Sequence, residues 1–185
     1  MKDVLSIIYQ KDVFPNQVFN NEASSFIDRI TGKALVYDNE RKIALVGNKF
    51  NSYFQLPGGG IKKGESVKRG IVREVLEETG CVVGLTKKIG VIEDYRNRDG
   101  KHCITHCYLG EVAGHKGSAT LSEQEKVNGL YTTWMCAGQV ISILEKQVYY
   151  LKNGHVTFYN TGFNILRDYL FVKKCFDDFN LFTNM

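Results

Sequence analysis

No run of 18 apolar residues occurs anywhere in the 185-residue chain, so no membrane-spanning helix is expected. The first 30 residues also lack a charged start, an apolar run and a small-residue cleavage site in succession, which argues against a secretory leader. Cysteine is sparse: Cys81, Cys103, Cys107, Cys136 and Cys175 make an odd set with no CxxC pair. Such a set is not a disulfide framework, and a reducing, cytoplasmic setting is expected. Dense basic runs are missing too. The net charge is +4 with lysines and arginines scattered, a balance that favours small anionic ligands over a long nucleic acid. Repeats and low-complexity linkers are absent. With 43% hydrophobic and 24% charged residues, the chain reads as one globular domain over 1–185.

Cys103 and Cys107, interleaved with His102 and His106, have the residue types of a zinc cluster. The segment KHCITHCYLGEV alternates as a strand, however, which puts the cysteines on one face and the histidines on the other. Ordinary packing is the expectation.

What is present is concentrated between Gly59 and Cys81, where the chain reads GGIKKGESVKRGIVREVLEETGC. A helix is expected from Ser66 to Thr79, ended by Gly80 in the left-handed conformation that glycine adopts without a β-carbon penalty. At about 100° per residue, Ile71, Val72, Val75, Leu76 and Thr79 share a packing arc, and Glu74, Glu77 and Glu78 share the adjoining one. Like charges at this spacing repel by roughly 0.2–0.5 kcal/mol per pair, so a cation is expected to offset them. Gly70 inside the helix costs up to ~1 kcal/mol and suggests close approach of another backbone.

A glutamate-rich helix is ordinarily a solvated face. Here it is embedded in a pattern of Gly59, Glu65, Arg73, Glu74, Glu77, Glu78 and Gly80, which chance would produce on the order of once in 10⁸ starting points. A hard cation such as Mg²⁺ takes oxygen ligands and bridges carboxylates to substrate phosphates. Glu74, Glu77 and Glu78 supply carboxylates, and a carbonyl of Gly58 or Gly59 can approach without side chains in the way.

This pattern closely resembles the signature of the Nudix hydrolases, with a departure only at the packing position Cys81. The resemblance extends over roughly Asp28 to Leu151. It implies an α/β fold, a Nudix-type α/β/α sandwich with a mixed β-sheet, flanked here by an N-terminal extension (1–27) and a C-terminal helical extension (152–185). It implies Mg²⁺ or Mn²⁺ held by Glu74, Glu77, Glu78 and Gly59, with Arg73 and Glu65 orienting the ligands. It also implies hydrolysis of a phosphoanhydride in a nucleoside diphosphate derivative. The proton acceptor would be Glu74 or Glu125, the latter from the loop Ser122–Glu125 that is expected as an additional ligand or base. Phe54, Tyr95, Tyr131 and Trp134 are candidates to stack on a base, and Arg29, Lys33, Lys49, Arg96 and Arg98 to contact phosphate or base. Relatives specific for ADP-ribose carry a proline some 15 residues past the signature, whereas this chain has only Pro15 and Pro57. The arginine-serine motif of the coenzyme A type is also missing, leaving nucleoside triphosphates and dinucleoside polyphosphates. A Nudix-like nucleotide-sensing module without catalysis is the alternative, and the retention of every signature carboxylate favours an enzyme. An isomerase acting on a prenyl diphosphate is a third reading, for which no paired motif is seen. Expected partners are a small nucleotide and, at most, a second copy in a homodimer; a membrane is not expected.

Around the signature, strands are expected at Lys33–Tyr37, Ile43–Gly47, Tyr53–Leu56, Lys88–Arg96, His102–Ala113 and Leu130–Met135, and helices at Ala137–Leu151 and Val156–Phe176. The first 27 residues suggest an added strand or two.

Overall fold

Alternation of inward and outward side chains along β-branched segments dictates the centre of the molecule. A computed structural model describes residues 4–17, 23–50, 52–156 and 158–178; the remaining parts of both extensions lie outside the described residues. In chain order the elements are β1 (Val4–Ile8), α1 (Gln10–Val13), β2 (Ile27–Tyr37), β3 (Ile43–Asn48), β4 (Phe54–Gln55), α2 (Val67–Thr79), β5 (Val83–Arg96), β6 (Lys101–Val112), α3 (Glu123–Val127), β7 (Leu130–Met135), α4 (Ala137–Lys152) and α5 (Tyr159–Asp178). The strands form a mixed sheet in the order β1-β5-β6-β2-β3-β4, with β7 also paired to β3. β1 with β5 and β2 with β6 run parallel, and the other pairs antiparallel.

Two apolar layers sandwich that sheet. On one face Ala34, Val36 and Ala44 pack against Ile71 and Val75 of α2. On the other, Leu35, Leu45, Ile92 and Leu109 pack against Val140 and Leu144 of α4 and Phe163 and Phe171 of α5. Neighbouring residues of β2 and β3 thus point to opposite layers, which is why both strands are buried along their central run. Cys81 is fully buried in the α2 layer and Cys107 in the opposite layer, both as packing positions, while Cys103 is buried on the same strand face as Cys107 without joining either core cluster.

The N-terminal extension supplies β1 on the sheet edge and then α1, whose Val13 joins the core together with Phe14. Several strands are longer than their alternation suggested. β5 begins at Val83 rather than at Lys88, because two register shifts, at Leu85/Lys87 and Lys88/Gly90, interrupt its alternation. β2 begins six residues earlier than expected, at Ile27, because it pairs with β6 along its whole length. The expected loop Ser122–Glu125 leads into a short helix instead. Ser122 and Glu125 form a reciprocal capping box there, satisfying backbone donors at its start.

The loop between β4 and α2 is held from below by the C-terminal helices. Gln147 on α4 brackets Phe54, accepting from its backbone N at 2.6 Å and donating to its carbonyl at 2.9 Å. Asp168 on α5, fully buried, accepts from Leu56 N at 2.9 Å and from Arg167 Nε at 2.8 Å. Breaking a buried ion pair from one side leaves an uncompensated charge, which costs about 3–5 kcal/mol. Asp168→Ala is therefore expected to lower the unfolding free energy by that amount in urea denaturation, whereas Val82→Ala, at a position more than half exposed, should stay within about 0.5 kcal/mol.

Candidate active site

The helix α2 starts and stops where its sequence dictates. Ser66 Oγ accepts from Arg69 N at the N-terminus, and Gly80 takes φ of 70° at the C-terminus. Its packed face is Gly70, Ile71, Val75, Glu78 and Thr79, with Leu76 left substantially exposed. Glu78 falls beside Ile71 on the helical wheel, so the sheet draws it inward; Leu76 sits at the far edge of the apolar arc. Gly70 is explained by side chains rather than by another backbone. A β-carbon there would lie 2.5 Å from Ile61 Cδ1 and 3.0 Å from a Glu65 carboxylate oxygen.

Arg73 organises the acidic face. Its Nε and Nη2 grip both carboxylate oxygens of Glu65 at 3.0 Å, its Nη1 donates to Glu74 at 2.7 Å and Glu77 at 3.2 Å, and its Nη2 also donates to the Gly60 carbonyl. A planar guanidinium is suited to such a fork, where a lysine ammonium is not. The bonds from Arg73 pull the Glu65 carboxyl down to about 2. The same carboxylates, Glu65 first, raise the Arg73 guanidinium further above its usual range.

The glycine loop is shaped to admit these acids. A β-carbon on Gly59 would lie 2.5 Å from Glu74 Oε2, so only glycine leaves room for that carboxylate. Gly58 has φ of 132°, and a β-carbon there would strike the Gly32 carbonyl oxygen at 2.1 Å. The Gly59 carbonyl accepts from Gly32 N at 2.9 Å, which uses one of its two acceptor positions and leaves one for a cation. Glu78 accepts from Gly58 N at 2.6 Å, and burial pushes its carboxyl up to about 7 against the opposing pull of Lys33. Lys33, itself buried, donates to the carbonyls of Leu56 and Gly58 at 2.7 Å. Burial lowers its ammonium, which the charges of Asp168 and Glu78 partly offset.

Glu74 and Glu77 are thus bridged by one nitrogen of Arg73, and the charges of Glu74 and Glu125 both act on Glu78. Among the described residues, no three acidic, histidine or cysteine groups converge closely enough to hold a metal ion as they stand. The donor set nevertheless fits a hard divalent cation: all-oxygen, in excess negative charge, beside a loop stripped of side chains. Glu125 Oε2 accepts from both Ser122 N and Ser122 Oγ at 2.7 Å, and no cation is paired with it among the described residues. Glu123 pairs with Lys126 in solvent.

The other expected contact residues are dispersed. Arg29 lines a chamber of about 290 Å³ beside Gly58–Gly60, as do Lys33 and Arg96. Tyr95 is elsewhere, stacked between Tyr9 and His102 at centroid distances of 5.5 and 4.3 Å. Phe54 packs on the core next to α4, edge-on to Tyr131. Trp134 packs in the α2 layer beneath Lys116, whose Nζ is 3.9 Å from the ring centroid. Arg98 stacks on Tyr159. Asn160, Asn164 and Arg167 also line the chamber and were not anticipated. Their spacing, one stripe down a helix whose other stripe is apolar, is the sequence signal that points to them.

Comparison with known proteins gives a consistent family. The sequence model of the NUDIX domain matches residues 29–153. Over 124 residues the chain is 30% identical to a putative 8-oxo-dGTP diphosphatase of Bacillus subtilis (strain 168), spanning 65% of this chain and 77% of that protein. It is 32% identical over 82 residues to an ADP-ribose pyrophosphatase of Methanocaldococcus jannaschii, spanning 43% of this chain and 48% of the relative. It is 34% identical over 85 residues to an RNA pyrophosphohydrolase of Wolbachia pipientis wMel, spanning 42% and 49%. The chain therefore spans only about half the length of the latter two relatives. Among solved structures, a NUDIX hydrolase from Nitrosomonas europaea superposes with a TM-score of 0.53 at 17% identity, over 76% of this chain and 89% of that one. A MutT protein from Methanosarcina mazei Go1 gives 0.50 at 21% identity, over 65% and 84%. At these identities the likeness speaks to the fold alone.

The raised Glu78 carboxyl sets a sign for pH dependence. A carboxyl at about 7 in the folded chain and near 4.5 when unfolded binds its proton more tightly in the folded state across that window. Its contribution favours folding below the lower value and is lost as pH rises through the upper one. In EDTA, urea denaturation is expected to show the wild type losing more stability than Glu78→Gln between pH 5 and pH 8. Equal slopes for the two proteins would contradict this assignment.

Proposed function

Because the chain belongs to the Nudix hydrolases, we propose that it hydrolyses the phosphoanhydride of a nucleoside triphosphate or a dinucleoside polyphosphate, with a divalent cation, Mg²⁺ or Mn²⁺, as cofactor. The observation that carries the reading is the Arg73 fork, which gathers Glu65, Glu74 and Glu77 beside a glycine loop that only Gly59 can form around Glu74. Glu74, Glu77, Glu78 and the Gly59 carbonyl would hold the cation. Bound there, it would supply neutralisation of charge on the phosphoryl oxygens and acidity for an attacking water.

The chain's own residues do the rest. Arg73 and Glu65 fix the directions in which Glu74 and Glu77 present their oxygens, and misdirected ligands would lose affinity and rate. A carboxylate must take the proton of the attacking water. Glu74 Oε1 is already engaged by Arg73 Nη1, whereas Glu125 has no cationic partner among the described residues and its charge acts on Glu78. Glu125 is therefore the proposed base. The relatives, named for 8-oxo-dGTP, ADP-ribose and RNA, agree on pyrophosphate chemistry and differ in what is attached to it.

The test is release of phosphate or pyrophosphate from a panel of nucleotides with Mg²⁺. Glu77→Gln is expected to lower kcat/KM by roughly 100-fold or more, in the range seen when metal sites are damaged. Glu125→Gln is expected to lower kcat by about 10²–10⁴-fold with little change in KM. If the intact protein turned over no nucleotide yet bound one, a sensing module would replace the enzyme.

A further inference from the structure

The chamber on the α5 side of the glycine loop has a composition that the anhydride chemistry does not require. β2 sends Arg29, Thr31 and Lys33 toward it at alternate positions, the β5–β6 hairpin sends Arg96 and Lys101, and α5 sends Arg167. Five of these six side chains are cationic. No carboxylate and no aromatic ring lines the chamber, so a nucleobase entering it would find no aromatic stacking surface. The acids that hold these cations sit behind them: Asp94 pairs with Arg96 at 2.6 Å and Asp168 with Arg167. Asn160 and Asn164 turn their carbonyl oxygens onto the Arg96 Nη atoms at 2.9 and 3.1 Å, fixing that guanidinium in place.

Two groups have capacity left over. Arg167 is 3% exposed, and its Nη2 is ion-paired with Asp168 Oδ1 at 2.8 Å without the alignment of a hydrogen bond, so its N–H groups keep donor capacity. A buried donor so placed favours a ligand oxygen that aligns with it. Arg29, at the exposed rim, makes no hydrogen bond or ion pair with any described residue. The chamber shares Gly58, Gly59 and Gly60 with the acidic face, so one elongated molecule can lie over the loop and reach both.

We propose that this chamber binds a phosphate group set apart from the scissile anhydride, so that the preferred substrate is a nucleotide carrying an additional phosphate. The proposal rests on the hydrolase reading for its catalytic half only. That phosphate has two chemical sources: the nucleotide's own ribose, as a 3′-phosphate, or the group on the far side of the pyrophosphate, as a sugar phosphate.

Isothermal titration of the full chain in EDTA at low ionic strength, with inorganic phosphate as the probe, tests the chamber without metal or turnover. One saturable site is expected, weakened at least tenfold in the Arg29→Gln/Lys101→Gln double variant, whose melting curve should match the wild type because neither side chain is part of the core. Absence of saturable binding, or unchanged binding in the double variant, would overturn the proposal. With Mg²⁺, adenosine triphosphate is then compared with its 3′-phosphorylated form, and ADP-ribose with the form phosphorylated on the distal ribose. At least one pair should favour the phosphorylated member tenfold or more in kcat/KM, and that pair identifies the source; parity in both pairs would overturn the proposal. Phosphate binding without turnover of any nucleotide would sink the hydrolase reading and leave the chamber standing. Turnover without phosphate binding would do the reverse.

Discussion

A guanidinium between three carboxylates is what allows this acidic face to exist. Glu65, Glu74 and Glu77 would repel one another across adjacent turns, and Arg73 converts that repulsion into a network of charge-assisted bonds whose geometry is set by the planarity of its fork. The same residue donates to the Gly60 carbonyl, so the glycine loop and the helix are tied through one side chain. Glu78 is managed differently. It is buried rather than paired with Arg73, held by the Gly58 backbone N–H and within the field of Lys33. The arrangement concentrates negative charge that a cation would offset.

The position of that network depends on parts of the chain far away in sequence. Asp168 and Gln147 hold Leu56 and Phe54 from the opposite layer, while Gly32 and Lys33 of the central strand hold Gly59 and Gly58. A loop that is mostly glycine would otherwise be costly to order, since glycine loses the most backbone freedom on folding. The C-terminal helices are in this sense part of the site: α5 steadies the loop with Asp168 and lines the cationic chamber with Arg167.

Much of this was legible in the chain, for identifiable reasons. The boundaries of α2 follow from Ser66 and Gly80, local signals that no tertiary contact overrides. The central strands and both long C-terminal helices were readable because their apolar periods are clean. β5 was truncated because its register shifts break the period, and α3 was read as loop although Ser122 and Glu125 carry a capping box. The aromatic candidates failed to gather for a different reason. Phe54, Tyr95 and Trp134 are large aromatic rings whose surroundings are decided by the fold, and each found a neighbour away from the chamber. Arg29 was named but not its companions on α5, since only the folded chain brings residues 29 and 167 together. The close backbone expected at Gly70 is not there: its neighbours are the Ile61 and Glu65 side chains, which one sequence position cannot reveal.

The claim on which everything else rests is that Arg73, steadied by Glu65, aims the acids at a common cation. Manganese affinity, measured by electron paramagnetic resonance for the wild type, Glu65→Gln, Arg73→Gln and the double variant, tests it most directly. The account expects each single change to weaken binding by roughly 10–100-fold and the double variant to be little worse than the weaker single, because both act through one fork. Manganese binding within twofold of wild type in both single variants, or losses that simply multiply in the double, would contradict it.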